Sequence, residues 1–191
     1  MNHSWLHKLG YCHKDFHSGN ILDGKYYTYI SDFGLSGPSN EQKSCDKVCG
    51  VLPYIAPEVL NKEPYTFSSD IYSFGVIMAE LSSVKPPFHK RKHDISLALE
   101  ICNGLRPEFG KGTPEIYKKL AYRCMNANPD HRPTASELKD ILHFWKDLVT
   151  NYGSYQKDPD AIYTSREFTF NNLTKPINSS IITSYLNDEE K

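Results

Sequence analysis

The chain has 191 residues, of which 39% are hydrophobic and 24% charged, a composition that suits one globular domain with a modest extension. The 22 Lys and Arg residues nearly balance the 23 Asp and Glu residues, and the net charge of -1 argues against nucleic-acid and anionic-membrane partners. The most apolar stretch, residues 71–81, is shorter than the ~20 residues that cross a bilayer. Since the first residues also lack the pattern of a secretory signal, we expect an intracellular, cytoplasmic protein.

Taken in chain order, the first predicted element is a short helix, because Trp5, Leu6 and Leu9 recur at helical spacing. Two short apolar runs then flank Asp23-Gly24 between residues 21 and 30, and this dipeptide is favoured in hairpin turns. The sequence therefore predicts a β-hairpin. Residues 34–51 show neither the strand nor the helix period and predict a long loop.

Three further helices are predicted after this loop. Ser69-Asp70 can cap the first, whose run IYSFGVIMAEL is apolar on nearly every side and predicts a buried helix. Thr113-Pro114 opens the second, and Thr134 to Glu137 form a capping box for the third. The apolar faces expected are Ile116, Leu120, Ala121 and Cys124 in the second helix, and Leu138, Ile141, Leu142, Trp145, Leu148 and Val149 in the third.

The helical periodicity ends near residue 150, and the remaining residues are rich in Ser, Thr and Asn with few aliphatic side chains. Such a composition supplies little apolar surface for a core. We therefore expect one domain over residues 1–149 and a flexible, largely disordered tail over residues 150–191.

A candidate metal site lies at the open end of the predicted hairpin. Asn20 precedes the first strand and Asp32 follows the second, so closing the hairpin brings their oxygens together, while Asp15 lies five residues upstream of Asn20. Two carboxylates and an amide suit Mg²⁺, which takes few protein ligands and keeps substrate phosphate oxygens in its shell. Asp and Asn also occupy hairpin ends as plain structural residues, so spacing alone leaves that alternative open.

Three sequence motifs occur in order around these residues: HKDFHSGNIL at 13–22, DFG at 32–34 and APE at 56–58. They resemble the catalytic loop, the metal-binding loop and the end of the activation segment of eukaryotic protein kinases. SSDIYSFGVIMAEL and NPDHRPTASEL are similar to the central helix and the late arginine motif of the same family. The resemblance covers residues 1 to about 149 and is closest to the tyrosine-kinase-like and Ser/Thr branches.

This resemblance implies a mainly α fold, a kinase C-lobe helical bundle with a small β-hairpin at the catalytic and metal site. It also implies phosphoryl transfer from Mg-ATP to a protein hydroxyl. By the same resemblance Asp15 would orient the substrate hydroxyl and take its proton. Asn20 and Asp32 would hold Mg²⁺ and thereby bind ATP, and Leu22 would form part of the floor under the adenine ring.

The resemblance also implies structural roles for residues around the site. Asp70 would accept hydrogen bonds from the backbone of the catalytic loop, and Glu58 would pair with Arg132 to hold the activation segment. His13 and Phe33 would stack in the core beneath the site.

The 191 residues lack three features that cover ATP in the family: a GxGxxG loop, a strand Lys and a helix Glu. We therefore expect a fragment without the N-lobe, and an exposed apolar surface around Leu22 and Phe33 that could take a partner protein. The alternative is a catalytically inactive, pseudokinase-like interaction module.

Four positions depart from the Ser/Thr kinase pattern or qualify it. Lys14 replaces the Arg of the catalytic loop, His17 stands where these kinases carry Lys, and Val51 stands where they often carry Thr. Tyr54 before the APE motif nevertheless resembles the Ser/Thr style. The balance favours a Ser/Thr hydroxyl as the acceptor, with Tyr left open.

Overall fold

The computed structural model of the chain describes residues 3–24, 27–39, 48–143, 160–170 and 172–187. In these ranges one helix is followed by five short strands, then five helices, a sixth strand and a last helix, with single 3₁₀ turns at Ser18–Asn20, Leu52–Tyr54 and Pro129–His131. The helices are α1 (His3–Lys8), α2 (Pro57–Leu60), α3 (Phe67–Ser83), α4 (Ile95–Cys102), α5 (Glu115–Cys124), α6 (Ala135–His143) and α7 (Ser180–Asn187). The strands are β1 (Tyr11–Cys12), β2 (Ile21–Asp23), β3 (Thr28–Ile30), β4 (Gly37–Pro38), β5 (Val48–Gly50) and β6 (Arg166–Phe168).

The central helix, α3, runs for 17 residues, of which ten are buried, as its apolar composition predicts. It begins two residues before the predicted cap, because Thr66 is the N-cap and its backbone N–H donates to Ser69 Oγ at 3.1 Å. Gly75 lets α5 approach closely: a Cβ there would lie 2.9 Å from the carbonyl oxygen of Ala121. Such a contact is too short, so any larger residue would force the two helices apart.

Helix α5 starts at Glu115, and its buried face is Tyr117, Leu120, Ala121 and Cys124. The apolar pattern of the sequence predicts Ile116 on this face, and that prediction is wrong because Ile116 is 58% exposed. One residue of helix rotates a side chain by about 100°, so Tyr117 and not Ile116 continues the stripe at i, i+3, i+4 and i+7. The Tyr117 hydroxyl also donates to the Met78 carbonyl at 2.9 Å, which satisfies its polar atom in the core.

Helix α6 begins after Thr134, whose Oγ1 accepts from the backbone N–H of Glu137 at 3.2 Å, which is one of the two hydrogen bonds of the predicted capping box. Leu138 is its buried side chain. Trp145, Leu148 and Val149, which were predicted to continue this face, lie outside the described residues. The sequence analysis did not predict α4, although its side chains Leu97, Ala98, Ile101 and Cys102 are completely buried.

Each strand pairs antiparallel with one other strand, giving the pairs β1–β4, β2–β3 and β5–β6. The hairpin β2–β3 pairs Ile21 with Ile30 and Asp23 with Thr28. The predicted loop over residues 34–51 contains β4 and β5 in its described parts, while residues 40–47 lie outside them. These strands escape a periodicity argument because two or three residues are too few to show a period.

The described residues after 160 differ from the predicted disordered tail. Strand β6 pairs with β5, and α7 packs against α5. Ala161, Phe168, Phe170 and Ile182 are buried. A few well-placed apolar side chains are enough to order a polar segment when an existing lobe supplies the rest of the core. Residues 150–159, 171 and 188–191 of this region lie outside the described residues.

Two buried guanidinium groups flank the ring of Tyr72 in the middle of the lobe. Arg106 lies 5.2 Å and Arg132 5.3 Å from its centroid, within the range of cation–π attraction. Arg106 also donates to the carbonyls of Ile101 and Met125 at 2.8 and 3.0 Å.

In the ranges given above, none of the helices combines the length and apolar character that crossing a bilayer requires.

Candidate active site

The loop that carries the HKD motif is fixed from below by Asp70, at the start of α3. The Asp70 carboxylate accepts from the backbone N–H of His13 at 2.7 Å and from that of Lys14 at 3.0 Å. It also lies 3.0 Å from Nε2 of His7. Lys14 has a positive φ of 67°, a conformation that non-glycine residues rarely adopt. Two hydrogen bonds to a buried carboxylate stabilise this backbone turn, as the sequence analysis expected of Asp70.

Asp15 follows this turn, and only 6% of its surface is exposed. Its backbone carbonyl accepts from Nδ2 of Asn20 at 2.9 Å, and its Oδ2 lies 3.8 Å from Nε2 of His17. His17 is itself oriented by Gly19, whose backbone N–H donates to Nδ1 at 3.1 Å. Asp15, His17 and Asn20 thus form one small cluster at the base of the hairpin.

Asp32 lies just past the second hairpin strand, and its φ of 58° places it in the left-handed region. Its Oδ1 accepts from the backbone N–H of Gly34 at 3.3 Å. Burial lowers the pKa of His17, and the carboxylates of Asp15 and Asp32 both act in the opposite direction. Asp32 directly follows Ser31, whose backbone N–H is bonded to the Asn20 carbonyl, so Asp32 lies at the same end of the hairpin as Asn20.

The hairpin register puts Asn20 beside Ser31, whose backbone N–H donates to the Asn20 carbonyl at 2.8 Å. Asp32 is therefore one residue past the position that pairs with Asn20. The Asn20 amide nitrogen is used by the Asp15 carbonyl, so its oxygen Oδ1 is the atom that a cation would meet. An amide oxygen and the Asp32 carboxylate are hard donors of the kind that Mg²⁺ takes, and these residues fit that ion.

Leu22 is 51% exposed on the outer face of the hairpin, and Tyr29, its cross-strand partner, is exposed as well. His13 is fully buried and its ring centroid lies 5.3 Å from that of Phe33, so the predicted contact between these rings is present. Phe33 is 39% exposed, however, and the expectation that it lies in the core is wrong. Leu22, Tyr29 and Phe33 are thus three exposed apolar side chains, two on the hairpin and one directly after Asp32.

The predicted ion pair between Glu58 and Arg132 is present and buried. Arg132 Nη1 donates to Glu58 Oε1 and Nη2 donates to Oε2, each at 2.7 Å. The same guanidinium donates to the carbonyls of Ser68 and Asn126. This forked pair joins the end of the APE motif to the start of α3 and to the loop before α6.

Sequence reasoning missed a second polar network next to the catalytic loop. Tyr54 donates to Glu80 Oε2 at 2.8 Å, and Ser18 donates to Glu80 Oε1 at 3.1 Å. Burial raises the pKa of Glu80, although both hydrogen bonds oppose that rise. The sequence offered one signal for this network, because Glu80 is a carboxylate on an otherwise apolar helix. A buried carboxylate needs hydrogen-bond donors close to it.

A further missed residue is Ser165, whose hydroxyl donates to Oδ2 of Asp15. The two residues are 150 positions apart, and no pattern in the sequence links them. The cluster around Asp15 is therefore completed by a residue from the end of the chain.

The fold combines helices with short strand pairs, and the loop held by Asp70 joins Asp15 to Asn20 at the base of the hairpin. Residues 3–144 match the family described as protein kinase domain. The chain belongs to the protein kinase domain family.

Named relatives agree with this family. A "Probable serine/threonine-protein kinase" of Dictyostelium discoideum is 31% identical over 137 residues, 71% of this chain and 8% of that protein. "Probable serine/threonine-protein kinase gdt2" of the same organism is 33% identical over 167 residues, 81% of this chain and 10% of that protein. "Serine/threonine/tyrosine-protein kinase HT1" of Arabidopsis thaliana is 26% identical over 186 residues, 93% of this chain and 47% of that protein. The chain spans less than half the length of each.

Proposed function

We propose that this chain supplies the catalytic lobe of a Ser/Thr protein kinase, which transfers the γ-phosphoryl group of Mg-ATP to a protein hydroxyl. The observation that carries the proposal is the cluster around His17. Asp15 and Asn20 are joined there by a hydrogen bond, and Asp32 directly follows Ser31, whose backbone N–H donates to the Asn20 carbonyl. The names of the relatives support Ser/Thr as the acceptor class.

In this proposal Asp15 orients the acceptor hydroxyl and takes its proton as the new P–O bond forms. Asn20 and Asp32 hold Mg²⁺ next to the phosphates. When bound, that ion neutralises charge on the β- and γ-phosphate oxygens. The carboxylate of Asp70 keeps the backbone before Asp15 in its left-handed turn, so the catalytic group is positioned before substrate arrives.

Nucleotide binding in this proposal uses the apolar surface of Leu22, Tyr29 and Phe33 as the floor of the adenine site. The family's glycine-rich loop, strand Lys and helix Glu are not found in the 191 residues, so a separate N-terminal lobe would cover the nucleotide. We propose that this lobe, in the same or another polypeptide, is the partner of the exposed surface. The catalytic lobe would then correspond to residues 1–149.

A catalytically inactive interaction module finds no specific support. Such a module has no need of the catalytic carboxylate or the two metal-ligand candidates, and Asp15, Asn20 and Asp32 are all retained.

The test is phosphoryl transfer by the longest natural form of the protein that contains this chain. We expect transfer from Mg-ATP to a Ser/Thr-containing protein substrate, and Asp15→Asn should lower its rate by about 10²–10⁴-fold, the range for loss of a general base. Asp130→Asn, an exposed residue outside the site, is the matched control and should keep the wild-type rate. Equal rates for the wild type and Asp15→Asn, with both variants folded, would contradict the proposal.

A further inference from the structure

The segment of residues 160–170 crosses the face of the molecule that carries Asp15. Its strand β6 pairs antiparallel with β5, with Val48 opposite Phe168, Cys49 opposite Glu167 and Gly50 opposite Arg166. Strand β5 lies between the DFG and APE motifs and leads directly into the buried turn at Leu52–Tyr54. An extended segment that adds to this strand edge occupies the place where a peptide would bind by strand addition.

Several contacts hold the segment at both ends. Before β6, Tyr163 donates to the Pro87 carbonyl at 2.7 Å, and Nδ1 of His93 lies 2.9 Å from the Ile162 carbonyl oxygen. Within β6, Arg166 donates to the His93 carbonyl and lies 4.6 Å from the ring centroid of Phe168. Beyond Phe168, the ring of Phe170 stacks on it at 5.3 Å, and both rings are buried. The segment is thus docked by side chains at both ends of its exposed centre.

At that centre, Ser165 is an exposed residue whose hydroxyl donates to Oδ2 of Asp15. The neighbouring hydroxyl residue, Thr164, is also exposed, but the contact with Asp15 belongs to Ser165. A hydroxyl that donates to the proposed catalytic carboxylate has the geometry of the group that this carboxylate would deprotonate.

We propose that residues 160–170 occupy the protein-substrate groove of their own chain, and that Ser165 is phosphorylated there in an intramolecular reaction. This inference rests on the proposed kinase function. Ser165 Oγ forms a bond to the γ-phosphorus of ATP, and the bond from that phosphorus to the β–γ bridging oxygen breaks. ADP leaves with the electron pair, and the hydroxyl proton passes to Asp15.

The product of this reaction destabilises the docked state. Phosphoserine carries a charge of about -1.5 to -2 at neutral pH and would stand beside the Asp15 carboxylate. Like charges at hydrogen-bond distance repel, and the hydroxyl that joined the two residues no longer has a proton to donate. The segment therefore leaves the groove after phosphorylation, and other protein substrates gain access to Asp15.

Occupancy of the groove can be tested without any catalysis. Directly opposed residues of an antiparallel pair have Cα atoms about 4.5–5.5 Å apart, which a disulfide can bridge. Glu167→Cys should therefore form a disulfide with Cys49 under mild oxidation, as mapped by mass spectrometry of the full chain. Thr169→Cys, an exposed position two residues further on, is the matched control and should not pair with Cys49. A Glu167→Cys protein that forms no such bond would overturn the docked arrangement.

Phosphorylation of Ser165 is tested with the natural form of the protein and Mg-ATP, together with an added Ser/Thr protein substrate. We expect phosphate on Ser165 at a first-order rate that does not change with protein concentration. Transfer to the added substrate should begin slowly and rise several-fold after preincubation with Mg-ATP. Ser165→Ala should lack both the phosphate and the rise, whereas Thr164→Ala should keep both.

The outcomes separate this inference from the proposed function. Steady transfer to the added substrate, with no phosphate on Ser165 and no effect of preincubation, would overturn the inference and leave the kinase function standing. Transfer to neither acceptor would overturn the kinase function itself and, with it, the phosphorylation of Ser165. In that case the disulfide between positions 49 and 167 would still decide whether the segment occupies the groove.

Discussion

The two sides of the candidate active site are built differently. Below the catalytic loop, charged groups are buried and fully paired: Asp70 holds the loop backbone, and Glu58 pairs with Arg132. Above it, the hairpin presents Leu22 and Tyr29 to solvent, with little packed against them. A buried charge is expensive to leave unpaired, whereas an exposed apolar side chain contributes little to stability until something covers it. The lower side thus supports the catalytic loop, and the upper side is the surface that we propose for nucleotide binding.

The largest effect should come from breaking the buried pair. Glu58→Ala leaves the Arg132 guanidinium stranded in the core and should lower the free energy of unfolding by about 3–5 kcal/mol. Chemical denaturation of the full chain measures this. The control is Glu137→Ala, which breaks the pair of Glu137 with Arg123, a 2.6 Å contact with partly exposed side chains. That change should cost at most about 1 kcal/mol.

A double variant sharpens the same comparison. Glu58→Leu with Arg132→Met removes both charges and keeps similar volume, so it should recover much of the stability that Glu58→Ala loses. Equal losses in the free energy of unfolding for Glu58→Ala and Glu137→Ala would show that the buried charges do not stabilise the lower side of the site.

His17 stands between the two sides and should make a smaller contribution that depends on pH. Burial lowers its pKa in the folded state below the value in the unfolded chain, despite the opposing effect of Asp15. The unfolded state therefore binds the proton more readily, so stability is present above about pH 6.5 and falls as acid protonates the unfolded chain preferentially. Asn at this position keeps an acceptor for the Gly19 N–H but does not titrate.

Denaturation at pH 7.5 and pH 5.5 should accordingly show a larger loss of stability in the wild type than in His17→Asn. His131→Asn changes an exposed histidine and is the matched control, with the wild-type loss retained. The same loss in all three proteins would mean that His17 gains no proton preference on unfolding.

The sequence predicts those features of the structure that residues close together in the chain determine. Short motifs that resemble those of protein kinases predict three features. These are the hairpin, the contacts of Asp70 and the Glu58–Arg132 pair. The buried character of α3 follows from composition alone. By contrast, the contact of Ser165 with Asp15 depends on where the chain returns after 150 residues, which no local pattern records.

Tertiary packing also overrode two local interpretations. Ile116 is the more aliphatic choice for the face of α5, but the stripe is set by the rotation of the helix, which turns Tyr117 inward. Residues 160–170 and 172–187 look too polar to fold alone, yet β6 pairs with β5 and α7 packs against α5. Both errors arise because the partner surface, not the segment, decides which side chains are buried.

The smallest effect on stability should come from the upper side. Leu22→Ser removes an apolar side chain that is half exposed, so the free energy of unfolding of the 191-residue chain should change by only about 0.5 kcal/mol or less. The same change should raise the KM for ATP in the natural form of the protein, because the adenine ring would lose apolar contact with the floor of its site. Ile116→Ser removes an aliphatic side chain of similar exposure from α5, far from the hairpin, and should leave the KM unchanged. A large loss of stability from Leu22→Ser would place this residue in the folded core. The contrast between the buried lower side and the exposed upper side of the site would then be wrong.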